Sequence, residues 1–159
     1  MEARKLSIWM KIMILALLVV GTVVYVWAVP AFGQMLCRNY PELQYRYLPW
    51  LVGVSATALP CYGAAWYCWL LARSLGKGRS FTRENAGYLK KISRLALADT
   101  GYFLALNVVF LLLGYSHPGV LLLALLVCVV GCGIALCTAV LSHLVSQGAE
   151  LQDQSDLTI

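Results

Sequence analysis

The sequence predicts an all-α membrane protein with four transmembrane helices, and two features of its composition support this class. Hydrophobic residues make up 61% of the 159 residues, and the mean hydropathy of +0.77 exceeds what is typical of a soluble domain. These residues also occur in four blocks of about 20 or more, the length needed to cross a hydrocarbon core of roughly 30 Å. We therefore expect a single four-helix transmembrane domain over residues 1–159.

The first two blocks predict helices over about 8–29 and 47–72. The first block is longer than the apolar core of a cleaved signal peptide, so it is expected to remain as an anchor. Pro30 and Pro41 lie in the connecting segment, where proline is typical of turns and helix ends, so we expect a loop there. Pro60 removes a backbone hydrogen bond in the middle of the second block. This predicts a kink near residues 56–60, either a simple packing kink or a hinge.

The third and fourth blocks predict helices over about 83–114 and 119–147, followed by a polar, acidic tail over 148–159. Thr82 is suited to cap the third helix, and Glu84 complements the partial positive charge of its first turn. Beyond them, apolar and basic residues fall on different faces over residues 89–95. The third helix is therefore expected to extend into the cytoplasm as an amphipathic segment.

The basic residues predict the orientation of the chain. Ten of the twelve lysines and arginines lie before or within the first helix or in the central stretch over 73–94, and only Arg38 and Arg46 lie in the first loop. Because Lys and Arg collect on the cytoplasmic side, both termini are expected to be cytoplasmic. The same rule explains the net charge of +5 without a nucleic-acid ligand. The central stretch has no helix-turn-helix pattern, so direct nucleic-acid binding is not expected.

Small residues and cysteines in the fourth helix predict packing rather than chemistry. Small side chains let membrane helices approach closely, so Gly131, Gly133 and their neighbours indicate a packing seam, within the monomer or across a homo-oligomer. Five of the six cysteines lie in apolar blocks and no C-x-x-C spacing occurs, which is typical of cysteines that act as small hydrophobes. Cys37 lies in the first loop, as a free thiol or an intermolecular link. We expect no metal, no cofactor and no identifiable small-molecule ligand.

Asp99 and His143 form a candidate intramembrane polar pair. The third and fourth helices are joined by a short segment and must be antiparallel, which places both residues at a similar depth near the cytoplasmic side. Ionisable residues at membrane depth are candidates for function. The pair is interpreted as a structural clasp or, alternatively, as a proton- or ligand-linked switch. Asn107, near the middle of the third helix, is expected to hold helices together.

The residues 76–92 (GKGRSFTRENAGYLKKI) and 149–159 (AELQDQSDLTI) together resemble a bacterial four-helix membrane family, the domain-of-unknown-function family twenty-nine seventy-five. Its members are often paired with a small Cro/CI-like helix-turn-helix regulator, so the resemblance implies a membrane partner that holds or releases such a regulator. No enzymatic activity carries over from it. The docking residues implied are Phe81, Glu84, Asn85, Lys90, Lys91, Glu150, Asp156 and Leu157.

We therefore predict a non-enzymatic, multi-pass protein of the bacterial inner membrane that acts as a regulatory or signalling partner of a cytoplasmic protein. The basic stretch over 73–94 has other interpretations, namely topological charge alone, contact with anionic membrane lipid, or pairing with the acidic tail of the same chain. The alternative function is a small oligomeric transporter or channel subunit, in which Pro60, Asn107 and Asp99 line a path.

Overall fold

The computed structural model of the protein describes residues 2–156, and side chains are described at all of these except 2, 3, 42, 43 and 156. Every element in this range is helical. The elements are α1 (Glu2–Val23), a π-helical segment (Val24–Ala28), α2 (Val29–Asn39), a 3₁₀-helix (Pro41–Arg46), α3 (Tyr47–Ala56), α4 (Ala58–Leu75), α5 (Arg83–Leu112) and α6 (Pro118–Asp156).

Four helical stretches are long and apolar enough to cross a membrane, which confirms the predicted all-α class with four membrane-length helices. They combine some of the shorter elements, because α1 runs through the π-helical segment into α2, and the 3₁₀-helix runs through α3 into α4. Their bounds are Arg4–Asn39, Gln44–Leu75, Arg83–Leu112 and Pro118–Ser155.

The first helix is longer than predicted, because the segment expected to form a loop after residue 29 is helical as far as Asn39. Pro30 lies in the first turn of α2, directly after the π-helical segment Val24–Ala28. A proline inside a regular helix clashes with the carbonyl four residues earlier and removes a hydrogen bond. A π-helical turn is wider, so it relieves this clash and lets the helix continue through the proline.

The second long helix is interrupted at Thr57, between α3 and α4, inside the interval where the sequence predicted a kink. Pro60 cannot donate to the carbonyl of Ala56, so the helical hydrogen-bond ladder is incomplete there. The Thr57 hydroxyl donates to the carbonyl of Val54 at 2.7 Å, which satisfies a neighbouring backbone acceptor.

The third helix begins at Arg83 as predicted, and the side chain of Thr82 caps it by accepting from the backbone N–H of Asn85 at 3.2 Å. The fourth helix is longer than predicted. It continues to Asp156, so the described part of the expected tail is helical rather than irregular. The tail sequence contains good helix formers, and Ala149 within it is only 3% exposed because it packs against the rest of the bundle.

The long helices pack in the order α1–α4–α5–α6, and α5 and α6 form the most extensive pair. Small or short polar residues recur every seven positions along the facing sides of α5 and α6. A seven-residue repeat keeps one face of a helix against its neighbour, and small residues let membrane helices approach closely. We call this contact the seam; its residues are Ala86, Ser93, Thr100 and Asn107 on α5 and Cys128, Ala135, Ser142 and Ala149 on α6.

Hydrogen bonds between the two helices join them along the seam. Ser93 Oγ donates to the carbonyl of Ala135 at 2.7 Å, and Ser142 Oγ donates to the carbonyl of Ala86 at 2.8 Å. These contacts lie one heptad apart on each helix. Serine hydroxyls that donate across helices stabilise membrane helix pairs without help from the hydrophobic effect.

Gly131 packs against Thr100 of this seam, within one chain, as the sequence predicted. A Cβ atom on Gly131 would overlap the hydroxyl of Thr100 and lie 3.4 Å from its Cβ. The nearby Gly133 differs, because a Cβ there would meet nothing within 4 Å. Cys128 is buried in the seam, whereas Cys132 is exposed.

The turn between α5 and α6, residues 113–117, is held by the 3₁₀-helix. Arg46 Nη1 donates to the carbonyl of Gly114 at 2.7 Å, and its guanidinium lies 4.2 Å from the centroid of the Tyr115 ring. The rings of Tyr40 and His117 stack with centroids 5.2 Å apart. The first two long helices thereby fix the end of the α5–α6 hairpin that lies opposite the chain termini.

Candidate functional site

The first candidate region is the part of α5 and α6 that extends beyond a membrane span of about 20 residues, at the end of the bundle with the termini. At about 1.5 Å per residue, the 39 residues of α6 span about 58 Å and the 30 residues of α5 about 45 Å. A hydrocarbon core of roughly 30 Å cannot contain either helix. All Lys, Arg, Asp and Glu residues of the two helices except Asp99 lie within 83–94 and 150–156, so the excess lies at the end with the termini. We call residues 83–94 of α5 and 142–156 of α6 the projecting helix pair.

The turn before α5 is fixed by Asn85, which is fully buried. Its Nδ2 donates to the carbonyl of Arg79 at 2.7 Å and to the carbonyl of Ser80 at 3.0 Å. The hydroxyl of Ser74, at the end of α4, donates to the same Arg79 carbonyl at 3.2 Å. Asn85 was predicted to be a docking residue, but it is inaccessible to a partner and acts instead as an internal brace of the turn.

Phe81 and Glu84 remain accessible. The Phe81 ring packs on α6, since a Cβ atom at Gly148 would lie 2.6 Å from its Cδ1, yet the residue is 54% exposed. Glu84 is exposed, and its carboxylate accepts a hydrogen bond from the Tyr88 hydroxyl one turn later. Part of the family-like motif therefore builds the turn, and part of it faces outward.

The charged residues of the projecting helix pair whose side chains are described are exposed, among them Lys90, Lys91 and Glu150. The ammonium of Lys91 lies 5.1 Å from the centroid of the Tyr67 ring, a cation–π contact with α4. The sequence did not single out Arg83 and Asp153, which form an exposed ion pair at 3.6 Å; such pairs contribute little to stability. Two further predicted docking positions cannot be assessed, because the side chain of Asp156 and all of Leu157 lie outside the described residues.

The second candidate region surrounds Asp99, and the predicted pair with His143 does not form. Asp99 Oδ2 accepts a hydrogen bond from the thiol of Cys61 on α4 at 3.5 Å. Its Oδ1 is buried and has no hydrogen-bond partner within the described part of the chain. The His143 side chain is exposed, and its Nε2 lies 3.2 Å from Nε2 of Gln147 on the same helix.

Asp99 and His143 do not pair because two residues at the same depth can lie on faces of their helices that do not meet. Asp99 lies three and seven residues before Tyr102 and Leu106, so all three occupy one face of α5. That face packs on the second long helix. The Tyr102 hydroxyl donates to the carbonyl of Gly53 at 3.2 Å, and a Cβ atom at Gly53 would lie 2.9 Å from Leu106. Thr100, one residue after Asp99, faces α6 instead.

Asp99 is the end of a line of polar groups that connects three helices. The Tyr25 hydroxyl lies 2.7 Å from Oγ1 of Thr57 and 3.9 Å from the sulfur of Cys61, which in turn contacts Asp99. We call these four residues the polar cluster. It includes the π-helical segment, through Tyr25, and the break between α3 and α4, through Thr57. Sequence analysis identified Asp99 and the kink but missed their partners, because tyrosine, threonine and cysteine are common in membrane helices.

The bond between Tyr25 and Thr57 is expected to be weak but measurable. In a double-mutant cycle of Tyr25→Phe and Thr57→Val, we expect a coupling of about 0.5–1 kcal/mol, as for other hydrogen bonds between membrane helices. Thermal unfolding of the detergent-solubilised protein provides the measurement. Tyr45→Phe is the matched control, because Tyr45 is 96% exposed. Additive effects of Tyr25→Phe and Thr57→Val would show that the two hydroxyls do not interact.

Asn107 does not link two helices directly. It is 2% exposed, and its Nδ2 donates to the carbonyl of Phe103 in its own helix at 2.8 Å. Within residues 2–156, no group of three or more His, Cys, Asp or Glu side chains is arranged to hold a metal ion.

Comparisons with known proteins place the chain among membrane proteins. A family model described as "Protein of unknown function (DUF2975)" matches residues 33–159. The chain is also 24% identical over 159 residues to the uncharacterized membrane protein YoaS of Bacillus subtilis (strain 168), a match that covers 98% of this chain and 99% of that protein. No solved structure gives a significant match.

Proposed function

The chain belongs to the DUF2975 family of proteins of unknown function and is a multi-pass membrane protein, and from that premise we propose that it is a membrane-bound regulatory partner. In this proposal the projecting helix pair docks a soluble protein on the cytoplasmic side of the bacterial inner membrane. The small helix-turn-helix regulator implied by the family resemblance is the partner proposed. The chain acts by binding and catalyses no reaction.

The observation that carries this proposal is the paired, charged extension of α5 and α6 beyond the hydrocarbon core. All four long helices exceed the roughly 20 residues that an anchor needs, but the surplus of α5 and α6 carries seven exposed charged residues: Arg83, Glu84, Lys90, Lys91, Arg94, Glu150 and Asp153. The surplus is a paired, capped and braced structure rather than a loose tail, because the seam continues through Ser142 and Ala149, both buried. A rigid surface binds with less loss of conformational entropy than a flexible one.

The basic part of this surface, on α5, indicates the kind of partner; the acidic residues Glu150 and Asp153 lie on α6. Lys90, Lys91 and Arg94 are exposed on α5, and charge complementarity guides docking and its rate. The partner is therefore expected to present an acidic patch. Phe81, half-exposed beside α6, supplies an apolar contact of the kind that anchors protein interfaces.

We expect the double variant Lys90→Glu/Lys91→Glu to weaken capture of the regulator at least about tenfold, because reversed charges repel an acidic patch. The measurement is binding of the purified regulator to the full-length protein in nanodiscs, at two salt concentrations. Arg4→Glu/Lys5→Glu is the control, with the same change in charge on α1 rather than on the projecting helix pair. Equal capture by wild type and the Lys90→Glu/Lys91→Glu variant would contradict the docking surface.

A second candidate function, a small oligomeric transporter or channel subunit, is supported by Asp99, whose buried Oδ1 has no hydrogen-bond partner among the described residues. An ionisable residue at membrane depth often marks an ion or proton path. Ion or proton flux in reconstituted vesicles distinguishes the two functions. Flux that disappears in Asp99→Asn, with no regulator captured by the wild type, would favour transport over docking.

A further inference from the structure

A groove of about 330 Å³ lies between α1 and α4. It occurs where Ala65, with its short side chain, leaves space between larger neighbours, and Ile14 beneath it is only 8% exposed. Trp66, by contrast, is 62% exposed at the groove edge. The walls are apolar and aromatic, formed by Ile14, Leu15 and Leu18 from α1 and by Ala65, Trp66 and Trp69 from α4.

The two ends of the groove differ in polarity. At the deep end, the hydroxyl of Tyr62 lies 2.8 Å from Oγ1 of Thr22. At the end nearest the termini, the ammonium of Lys11 lies 5.7 Å from the centroid of the Trp69 ring. Tyr62 and Trp69 are seven residues apart on α4, or about 10 Å. The groove is therefore an apolar channel that fits within one leaflet of a core of roughly 30 Å and has a cation at one rim.

We propose that this groove binds a phospholipid with an anionic headgroup, with one acyl chain between α1 and α4 and the phosphate beside Lys11. The walls offer apolar and aromatic contacts, which suit an acyl chain. An extended polypeptide segment in their place would leave its backbone N–H and C=O groups unpaired in hydrocarbon. The rim is basic, since Arg73 in the last turn of α4 is also exposed at this end. Basic residues near the membrane surface favour anionic lipid by about 1 kcal/mol each, or about fivefold in affinity.

The test uses the tryptophans that line the groove as probes. In a background of Trp9→Phe, Trp27→Phe and Trp50→Phe, the remaining fluorescence comes from Trp66 and Trp69. The protein is reconstituted in bilayers that contain brominated phosphatidylglycerol or brominated phosphatidylcholine, since bromine quenches tryptophan at short range. We expect brominated phosphatidylglycerol to quench more strongly than brominated phosphatidylcholine at the same mole fraction.

Two variants separate the headgroup contact from the acyl-chain contact. Lys11→Gln should reduce the phosphatidylglycerol preference about fivefold, whereas the control Lys5→Gln, which removes an exposed lysine elsewhere on α1, should leave it unchanged. Ala65→Leu fills the groove and should reduce quenching by both lipids. The ratio between the two lipids cancels any direct effect of Lys11 on Trp69 emission.

Equal quenching of the wild type by both lipids, or an unchanged preference in Lys11→Gln, would overturn the proposed headgroup contact. Unchanged quenching in Ala65→Leu would overturn the acyl-chain contact. Size-exclusion chromatography and circular dichroism establish that each variant is folded. If Ala65→Leu does not fold, Ala65→Val fills less of the groove and gives the same comparison.

Discussion

Gly131→Val is expected to lower the free energy of unfolding by about 3 kcal/mol, near the upper end of the usual cost of overpacking. A Cβ atom at Gly131 would overlap the hydroxyl of Thr100, and Thr100 Cβ lies only 3.4 Å away. The Thr100 hydroxyl cannot rotate away without losing the hydrogen bond that it donates to the carbonyl of Ala96 at 2.7 Å. Valine therefore forces α5 and α6 apart at this contact. Tightly packed small residues are the main source of attraction between membrane helices, so the loss extends beyond one side chain.

Gly133→Val provides the matched control for this prediction. It makes the same change two residues later in the same helix, where an added Cβ meets nothing within 4 Å. Any change in helix propensity is therefore the same for both variants. The measurement is thermal or denaturant unfolding of the protein in mixed micelles. If the two variants are equally stable, α5 and α6 do not pack through Gly131.

Asn85→Ala is expected to lower the free energy of unfolding by about 2 kcal/mol. The variant removes the bonds to the carbonyls of Arg79 and Ser80 and leaves both acceptors without this donor. Buried acceptors that lose their donors cost about 1–3 kcal/mol. The effect is not larger, because the buried Oδ1 of Asn85 itself lacks a hydrogen-bond partner among the described residues, and its removal offsets part of the loss.

Asn39→Ala is the control for this second prediction, because Asn39 is an exposed asparagine at the end of α2. Unfolding in mixed micelles is again the measurement. We also expect Asn85→Ala to increase amide hydrogen exchange in the turn over residues 76–82, which the side chain holds in place. Exchange that stays slow in this turn would show that other contacts suffice to fix it.

Much of the fold follows from the sequence because a bilayer restricts the choice of structure. Four apolar blocks of this length must become helices, because the helix is the conformation in which a single segment satisfies all its backbone hydrogen bonds in hydrocarbon. The cap at Thr82 and the break near Pro60 are local effects, and each was located within a few residues. The predicted end of the first helix was wrong because Pro30 was expected to end the helix. Its accommodation depends on a π-helical turn, which has no simple signal in the sequence.

The candidate sites were harder to predict, since they depend on the direction in which a side chain points. Asp99 and His143 were predicted to pair because they lie at a similar depth in the membrane. Asp99 instead lies on the face of α5 that contacts Cys61 of α4. Asn85 was predicted to be a docking residue because it lies in the motif that carries the family resemblance. Its burial depends on the path of residues 76–82, which bring the Arg79 and Ser80 carbonyls to its amide.

The seven-residue repeat of the seam allows more than one alignment of α6 along α5. Sliding α6 along α5 by one heptad, about 10.5 Å, would again place small residues opposite small residues. Such a contact resists rotation of either helix but discriminates poorly between alternative alignments. Selection of one alignment must come from the two ends of the hairpin, where Arg46 holds the turn at Gly114 and Phe81 rests on Gly148. Insertions of seven residues in both helices would therefore be tolerated, whereas an insertion of two or three in one of them would not.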